Sequence, residues 1–225
     1  MRNVSVIIPA AGSGTRFGAA SNKIFQPLAG RAIFLRSIDL FAARDDVCQI
    51  LLVISSEDSA ELSGRFGEEL TALGVELVEG GDRRSDSVRK ALTHLDAGAE
   101  LVCVHDAVRP CASPERIDAV FQTAAESGAA ILACPLHGTI KKTDPSGKIL
   151  QTVDREGLWE AQTPQVFDRD LLIEAYALGG DATDDAEMVQ RTGREVIVVA
   201  SDINNIKITA RADLVPAETI IRSDR

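Results

Sequence analysis

Two cations and three glycines crowd one short stretch of this chain: Gly12, Gly14, Arg16, Gly18 and Lys23. The residues before and between them are small, Pro9-Ala10-Ala11-Gly12-Ser13-Gly14. Such a turn leaves backbone N–H groups bare, and nothing bulky holds an anion away from them. Two cations in one loop predict a ligand with several negative charges, and a nucleoside triphosphate fits. The loop follows Val4, Val6, Ile7 and Ile8, a short apolar run that reads as a buried strand.

Other phosphate loops fit this stretch poorly. A P-loop needs lysine directly after its second glycine, and Ala19 follows Gly18. A dinucleotide-binding turn needs a third glycine where Phe17 stands, and an acid ending the second strand. That strand runs out in Ser55-Ser56-Glu57, which brings the acid late.

The elements that must position these residues alternate. Apolar runs at 48–55, 75–80, 101–107, 129–136 and 195–201 read as strands, several buried on both faces as parallel sheets require. Helical spacing covers 31–43, 57–72, the segment opened by 80–88, 168–178, 184–192 and 210–222. Ser113-Pro114 starts another helix, and Asp184 is a cap with Glu187 in the capping-box position. The pattern predicts one α/β domain over 1–225, a mostly parallel, Rossmann-like sheet flanked by helices. Ligands of such sheets bind beyond the carboxyl ends of the strands, where 12–23, 80–87 and 106–109 fall. Residues 139–159 break the alternation with two half-polar runs around Asp144-Pro145-Ser146-Gly147. They predict a projecting β-hairpin arm at about 137–160. A lone hairpin is marginal in water, so a second subunit is its expected partner.

Composition narrows the classes. The net charge of −10 argues against nucleic acid or an anionic membrane as partner and makes local cation clusters informative. No apolar run approaches the ~20 residues of a membrane span, and the N-terminus reads as a strand rather than a signal peptide. Cys48, Cys103, Cys111 and Cys134 are scattered; Cys48, Cys103 and Cys134 lie in strand-like runs and read as buried free thiols of a reducing cytoplasm. Three histidines without paired spacing predict no structural zinc site.

The loop Pro9–Arg16 with Lys23 resembles that of nucleotidyltransferases that make activated sugars and polyols. GGDRRSDSV (80–88), VHDAVRP (104–110), TVDREGLWEAQTPQVF (152–167), TDDAE (183–187) and NNIKIT (204–209) extend the likeness over essentially the whole chain. In this order they resemble the motifs of 2-C-methyl-D-erythritol 4-phosphate cytidylyltransferases. One departure is Asn22-Lys23-Ile24, where that family often has Pro-Lys-Gln.

The resemblance implies a nucleotide-diphospho-sugar transferase type of sheet and transfer of CMP from CTP to a polyol phosphate, with release of pyrophosphate. Arg16 and Lys23 would be catalytic, holding the triphosphate and stabilising its transition state. Ala10, Ala11, Gly12, Gly14, Gly80, Gly81, Asp82, Ser87, Asp106 and Ala107 would bind the nucleotide. Arg155 and Lys207, with Arg109, Thr139 and Thr163, would position the acceptor. An acid beside bound phosphates implies Mg²⁺, with Asp106 as its ligand. A homodimer formed through the arm would place Arg155 at the neighbouring subunit's site. Ribitol-5-phosphate cytidylyltransferases share much of this pattern. A non-catalytic nucleotide sensor would need the fold without the charges, yet Arg16, Lys23, Arg155 and Lys207 are all present.

Overall fold

Val4, Val6 and Ile8 face one side of the first strand and Ile7 the other, and all four are buried. Helices must therefore cover both faces of the sheet that this strand joins. The computed structural model describes residues 2–12 and 22–223. In chain order its strands are β1 (Val4–Pro9), β2 (Pro27–Leu28), β3 (Arg31–Ala32), β4 (Val47–Ile54), β5 (Val75–Glu79), β6 (Leu101–Val104), β7 (Ala129–Pro135), β8 (Ile140–Thr143), β9 (Ile149–Val153), β10 (Trp159–Asp168) and β11 (Ile197–Ala200). The helices are α1 (Ile33–Ala42), α2 (Ser56–Ala72), α3 (Arg84–Leu92), α4 (Pro114–Ser127), α5 (Arg169–Ala177), α6 (Asp185–Gln190) and α7 (Leu214–Ser223).

Across the central sheet the order is β11, β7, β10, β6, β1, β4, β5. Every neighbouring pair is parallel except those of β10, which runs antiparallel to β6 and β7. Apolar side chains of α1, α2, α4 and α7 pack on the Val6 face, and those of α3, α5 and α6 on the Ile7 face. The mostly parallel, helix-flanked sheet expected from the alternation is the one observed. Among the described residues no helix is long and apolar enough to cross a membrane.

Local chemistry accounts for the boundaries. The Ser113 hydroxyl caps α4 ahead of Pro114, and Gly128 ends it at φ +84°, where a side chain would be strained. Asp184 caps α6 through the Glu187 N–H at 2.9 Å. The Glu187 carboxylate turns to Thr183 N and Oγ1 instead of closing a capping box on Asp184. The arm is present as β8 and β9, a two-stranded sheet of its own. Asp144 Oδ1 accepts from Ser146 N and Lys148 N at its turn, with Gly147 at φ +87°.

Two expectations are corrected. Cys48 is exposed rather than buried; the register between β1 and β4 skips it and the pairing of β4 with β5 starts only at Ile50, and only Cys103, Cys111 and Cys134 are covered. The segment 159–168 is a full strand that the apolar pattern does not reveal. Its pairing with β7 breaks between Ala161 and Gln165, and the buried residues there, Gln162, Thr163 and Gln165, are polar. Hydrogen bonds rather than hydrophobicity cover them, so no period-2 apolar signal marks the strand.

Candidate active site

The carboxyl ends of β1 and β6 open onto a cavity of about 300 Å³, lined by Pro9–Gly12, Lys23, Ile24, Gly81–Arg84, Ser87, Asp106–Val108 and Lys207. Its wall depends on two missing side chains. A Cβ at Gly80 would lie 2.5 Å from the Ala11 Cβ, and one at Gly81 would lie 2.6 Å from the Asp86 Cβ. The glycine pair thus lets α3 approach the end of β1. Ser87 Oγ fixes the turn by accepting from Gly81 N at 3.0 Å.

Asp106 is the electrostatic centre. Lys207 Nζ lies 2.7 Å from its Oδ2, Arg84 Nε 3.4 Å from Oδ1, and Arg109 Nε 3.6 Å from Oδ2. Burial pushes this carboxyl up, but Arg84, Lys207 and Arg109 outweigh it and hold the group well below the usual carboxylate range. Each cation is itself held. Arg109 is buried and donates to the Asn205 carbonyl at 2.7 Å; its Nε makes no hydrogen bond among the described residues. Asn205 donates to Gln162 Oε1 and to the Thr163 carbonyl, which ties the 204–209 segment to β10 and sets the origin of Lys207.

A second cavity of about 250 Å³ adjoins the first and is lined by Arg109, Ala161–Thr163, Gln165, Thr183 and Asp184, and again by Arg84, Asp106 and Lys207. The two cavities share these three charges. Arg84 is the residue that sequence reasoning missed. It bridges Asp106 and Asp185, with Nη2 2.7 Å from the fully buried Asp185 carboxylate, which also accepts from Tyr176 at 2.5 Å. Burial opposes the charge of Arg84, but Asp185 and Asp106 prevail and keep its guanidinium firmly protonated. The signal was legible: a cation inside GGDRRSDSV in an acidic chain.

Thr163 lines the second cavity, but its hydroxyl is already engaged. It accepts from Asp106 N at 3.0 Å and lies 3.2 Å from His105 Nδ1. His105 Nε2 sits 3.0 Å from the Arg109 carbonyl, which only accepts, so Nε2 carries the ring proton and Thr163 donates to Nδ1. Thr163 has no proton left for a ligand and serves one only as an acceptor.

Burial holds the His105 imidazole down at about 4, against 6.5 for an unperturbed histidine. As pH falls through 6.5 the unfolded chain takes up a proton that the folded chain refuses until about 4. The fold is expected to lose about 3 kcal/mol over that window. Urea unfolding from pH 7 to 5, above the range of the carboxylates, measures its onset, and there the slope should disappear in His105→Gln; an unchanged slope would assign the loss elsewhere.

The remaining expected site residues are dispersed. Asp82 and Ala107 line the first cavity, as do Ala10, Ala11 and Gly12, whereas Gly80 stands behind its wall. Thr139 and Arg155 are exposed at the base of the arm, where Arg155 donates to the His137 carbonyl, and neither lines the two cavities. Gly14 and Arg16 lie outside the described residues. A wider cavity of about 770 Å³ opens at the other end of the sheet, between Arg2, Gly128 and Arg194. Glu126, Asp168, Asp170, Glu174 and Glu195 in its wall repel polyanions.

Known proteins share this fold. The family model described as 2-C-methyl-D-erythritol 4-phosphate cytidylyltransferase matches residues 4–223. A relative of that name from Rhodopirellula baltica is 43% identical, covering 99% of this chain and 96% of the relative. A chloroplastic one from Oryza sativa is 35% identical over 98% of this chain and 75% of its own. Among solved structures, a 4-diphosphocytidyl-2C-methyl-D-erythritol synthase from Anaerococcus prevotii superposes with a TM-score of 0.82 at 29% identity, covering 98% of this chain and 96% of that one. The Thermus thermophilus cytidylyltransferase gives 0.79 at 30% identity, with 96% and 98% covered. With the family model matching residues 4–223 and these relatives 35% and 43% identical over nearly its full length, the chain belongs to the 2-C-methyl-D-erythritol 4-phosphate cytidylyltransferase family.

Proposed function

We propose that this protein transfers the cytidylyl group of CTP to 2-C-methyl-D-erythritol 4-phosphate, giving 4-diphosphocytidyl-2-C-methyl-D-erythritol and pyrophosphate. The observation that carries this reading is the pair of adjoining cavities sharing Arg84, Asp106 and Lys207. Two polyanions that must meet need a common cationic boundary. The nucleotide occupies the glycine-walled cavity, with its phosphates toward Lys23 and Arg84. The acceptor occupies the second, with its phosphate toward Lys207 and Arg109.

An acceptor phosphate oxygen attacks the α-phosphorus. A new P–O bond forms, the bond from that phosphorus to the α,β-bridging oxygen breaks, and pyrophosphate leaves with the electron pair. The nucleophile is already anionic, so no general base is required. The chain's task is alignment and charge stabilisation. Lys23 and Arg84 approach the triphosphate from opposite walls, and Arg16 belongs to the same group by its place in the sequence. Asp106 keeps three cations from repelling one another before substrates arrive.

The donor set fits Mg²⁺. No group of three or more acidic, histidine or cysteine side chains stands ready for a metal among the described residues. A single carboxylate completed by substrate phosphates is how Mg²⁺ is commonly held. Among the described residues Asp106 Oδ1 meets Arg84 alone, at 3.4 Å, and keeps room to accept. The ion would neutralise phosphate charge there.

The arm serves a homodimer in this reading. Ile149 and Leu150 on β9 are 59% and 57% exposed, and Leu158 and Trp159 after it 38% and 42%, apolar surface that one chain leaves uncovered. Arg155 then acts at the partner's site. Arg155→Ala and Lys23→Ala proteins, each nearly inactive, should recover about a quarter of wild-type activity per dimer when mixed and refolded, by random pairing. Mixtures no more active than their components would place both residues in one subunit's site. The buried thiols of Cys103 and Cys134 support a reducing cytoplasm as the compartment.

Pyrophosphate release from CTP and Mg²⁺ with either 2-C-methyl-D-erythritol 4-phosphate or ribitol 5-phosphate tests the function. Turnover should be confined to the first acceptor. Faster turnover with the second would reassign it, and tight CTP binding with no release on either would make the chain a nucleotide sensor.

A further inference from the structure

Lys23 and Gly12 lie eleven positions apart in sequence and both line the nucleotide cavity. One side chain links them. Asn22 is 8% exposed, and each of its polar functions is used. Its Nδ2 donates to the Gly12 carbonyl at 3.0 Å and to Asp58 Oδ2 at 2.8 Å, while its Oδ1 accepts from Ile24 N at 3.3 Å. Two acceptors on one side and an N–H on the other leave the amide a single orientation. The same Asp58 oxygen accepts from Ser55 Oγ at 2.8 Å, and Ser55 Oγ caps α2 by accepting from Asp58 N at 3.2 Å. Asp58 stands in the first turn of a 17-residue helix, where an acid is favoured, and forms no ion pair among the described residues.

These contacts join three elements at one point: the end of β1, the 3₁₀ turn Lys23–Phe25 and the N-terminus of α2. Asn22 caps that turn, so it sets the backbone from which Lys23 extends. A proline at position 22 would supply neither the cap nor the two donors. We propose that Asn22 and Asp58 form a positioning pair that fixes Lys23 against the nucleotide cavity. The inference rests on the transfer reading above. The pair touches no substrate; it acts through Lys23 and the Gly12 carbonyl. Its signature is therefore a loss directed at CTP, with the acceptor half of the site unaffected.

Steady-state kinetics on Asn22→Ala, Asp58→Ala and the double variant test the proposal. Each single change should lower kcat/KM for CTP by about 10²-fold, the usual penalty for misplacing a reacting group by about 1 Å. The KM for methylerythritol phosphate should stay within about twofold. Because both residues serve one contact, the double variant should lose no more than the worse single. Single variants within about threefold of wild type, a double variant whose loss is the product of the singles, or an equal rise in both KM values would each overturn the pair. Should Asn22→Ala not fold, Asn22→Asp keeps its shape while setting two carboxylates face to face. Its activity should return at least about tenfold on adding Asp58→Asn, which rebuilds one amide–carboxylate bond; no return overturns the proposal. Wild-type protein that turned over no acceptor would refute the transfer reading alone. Calorimetric titration with CTP then decides the pair, with affinity about tenfold weaker in Asn22→Ala supporting it and unchanged affinity overturning it.

Discussion

Lys23→Ala is expected to lower kcat by about 10²–10³ while leaving the melting temperature nearly unchanged, the scale of losing one preorganised donor to a developing charge. The size follows from where the ammonium sits. Lys23 opens the 3₁₀ turn at the cavity's edge, and its Nζ donates to the Ile208 carbonyl at 3.2 Å. That acceptor is neutral, and a phosphate oxygen is a stronger partner for an ammonium. The field of the chain offers no replacement, because the net charge is −10. Helping cations must come from the cavity itself, and Arg84 and Lys207 are already committed to Asp106. Pyrophosphate-release kinetics beside thermal melting would measure it. Turnover within about threefold of wild type would remove Lys23 from the reaction.

Asp106→Asn should act first on stability, lowering it by about 3 kcal/mol, the lower end of what breaking a buried charge cluster costs, because Arg84 and Lys207 are partly exposed and water screens them. The variant leaves Arg84, Arg109 and Lys207 facing one another without a counter-ion. A bound triphosphate supplies the missing anions, so saturating CTP should raise the melting temperature of Asp106→Asn more than that of the wild type. Equal CTP shifts in the two proteins would mean that the nucleotide's phosphates do not reach this cluster. The sign with pH is separate from that of His105. Asp106 titrates below the usual carboxylate range, so its stabilisation persists at neutral pH and is lost only as strong acid protonates it. The loss between pH 6.5 and about 5 belongs to the histidine, and carboxylates held low in the fold, Glu187 among them, add to it below that.

Much of this was legible before any coordinates. Strands β1, β4, β6 and β7 are continuous apolar runs because both faces are covered, and such runs are the plainest signal a parallel sheet gives. The Asp144 turn and the Ser113 and Asp184 caps follow from side-chain chemistry acting within a few residues. What escaped is what depends on distant partners. β10 hides because Gln162, Thr163 and Gln165 are buried by hydrogen bonds to residues 19 to 58 positions away, a relation no local pattern contains. Arg84 stood in view as a cation of GGDRRSDSV, but its partners did not. Its meaning comes from Asp106 and Asp185, 22 and 101 positions further on. Resemblance placed Lys207 on the acceptor side; only the fold shows it gripping the same carboxylate as Arg84.

The strand order also divides labour along the chain. Apart from Lys207, the glycine-walled cavity is built wholly from residues up to Val108. Apart from Arg84, Asp106 and Arg109, the second cavity is built from residues 161–207. In the proposed reading, with CTP in the first and the acceptor in the second, inheritance of the two specificities is therefore separable. Drift in the C-terminal half can retune which polyol phosphate is accepted while the donor half stays as it is, and an engineer can graft there without rebuilding the cytidine end. The seam between the halves is the trio Arg84, Asp106 and Lys207, where any change alters both bargains at once.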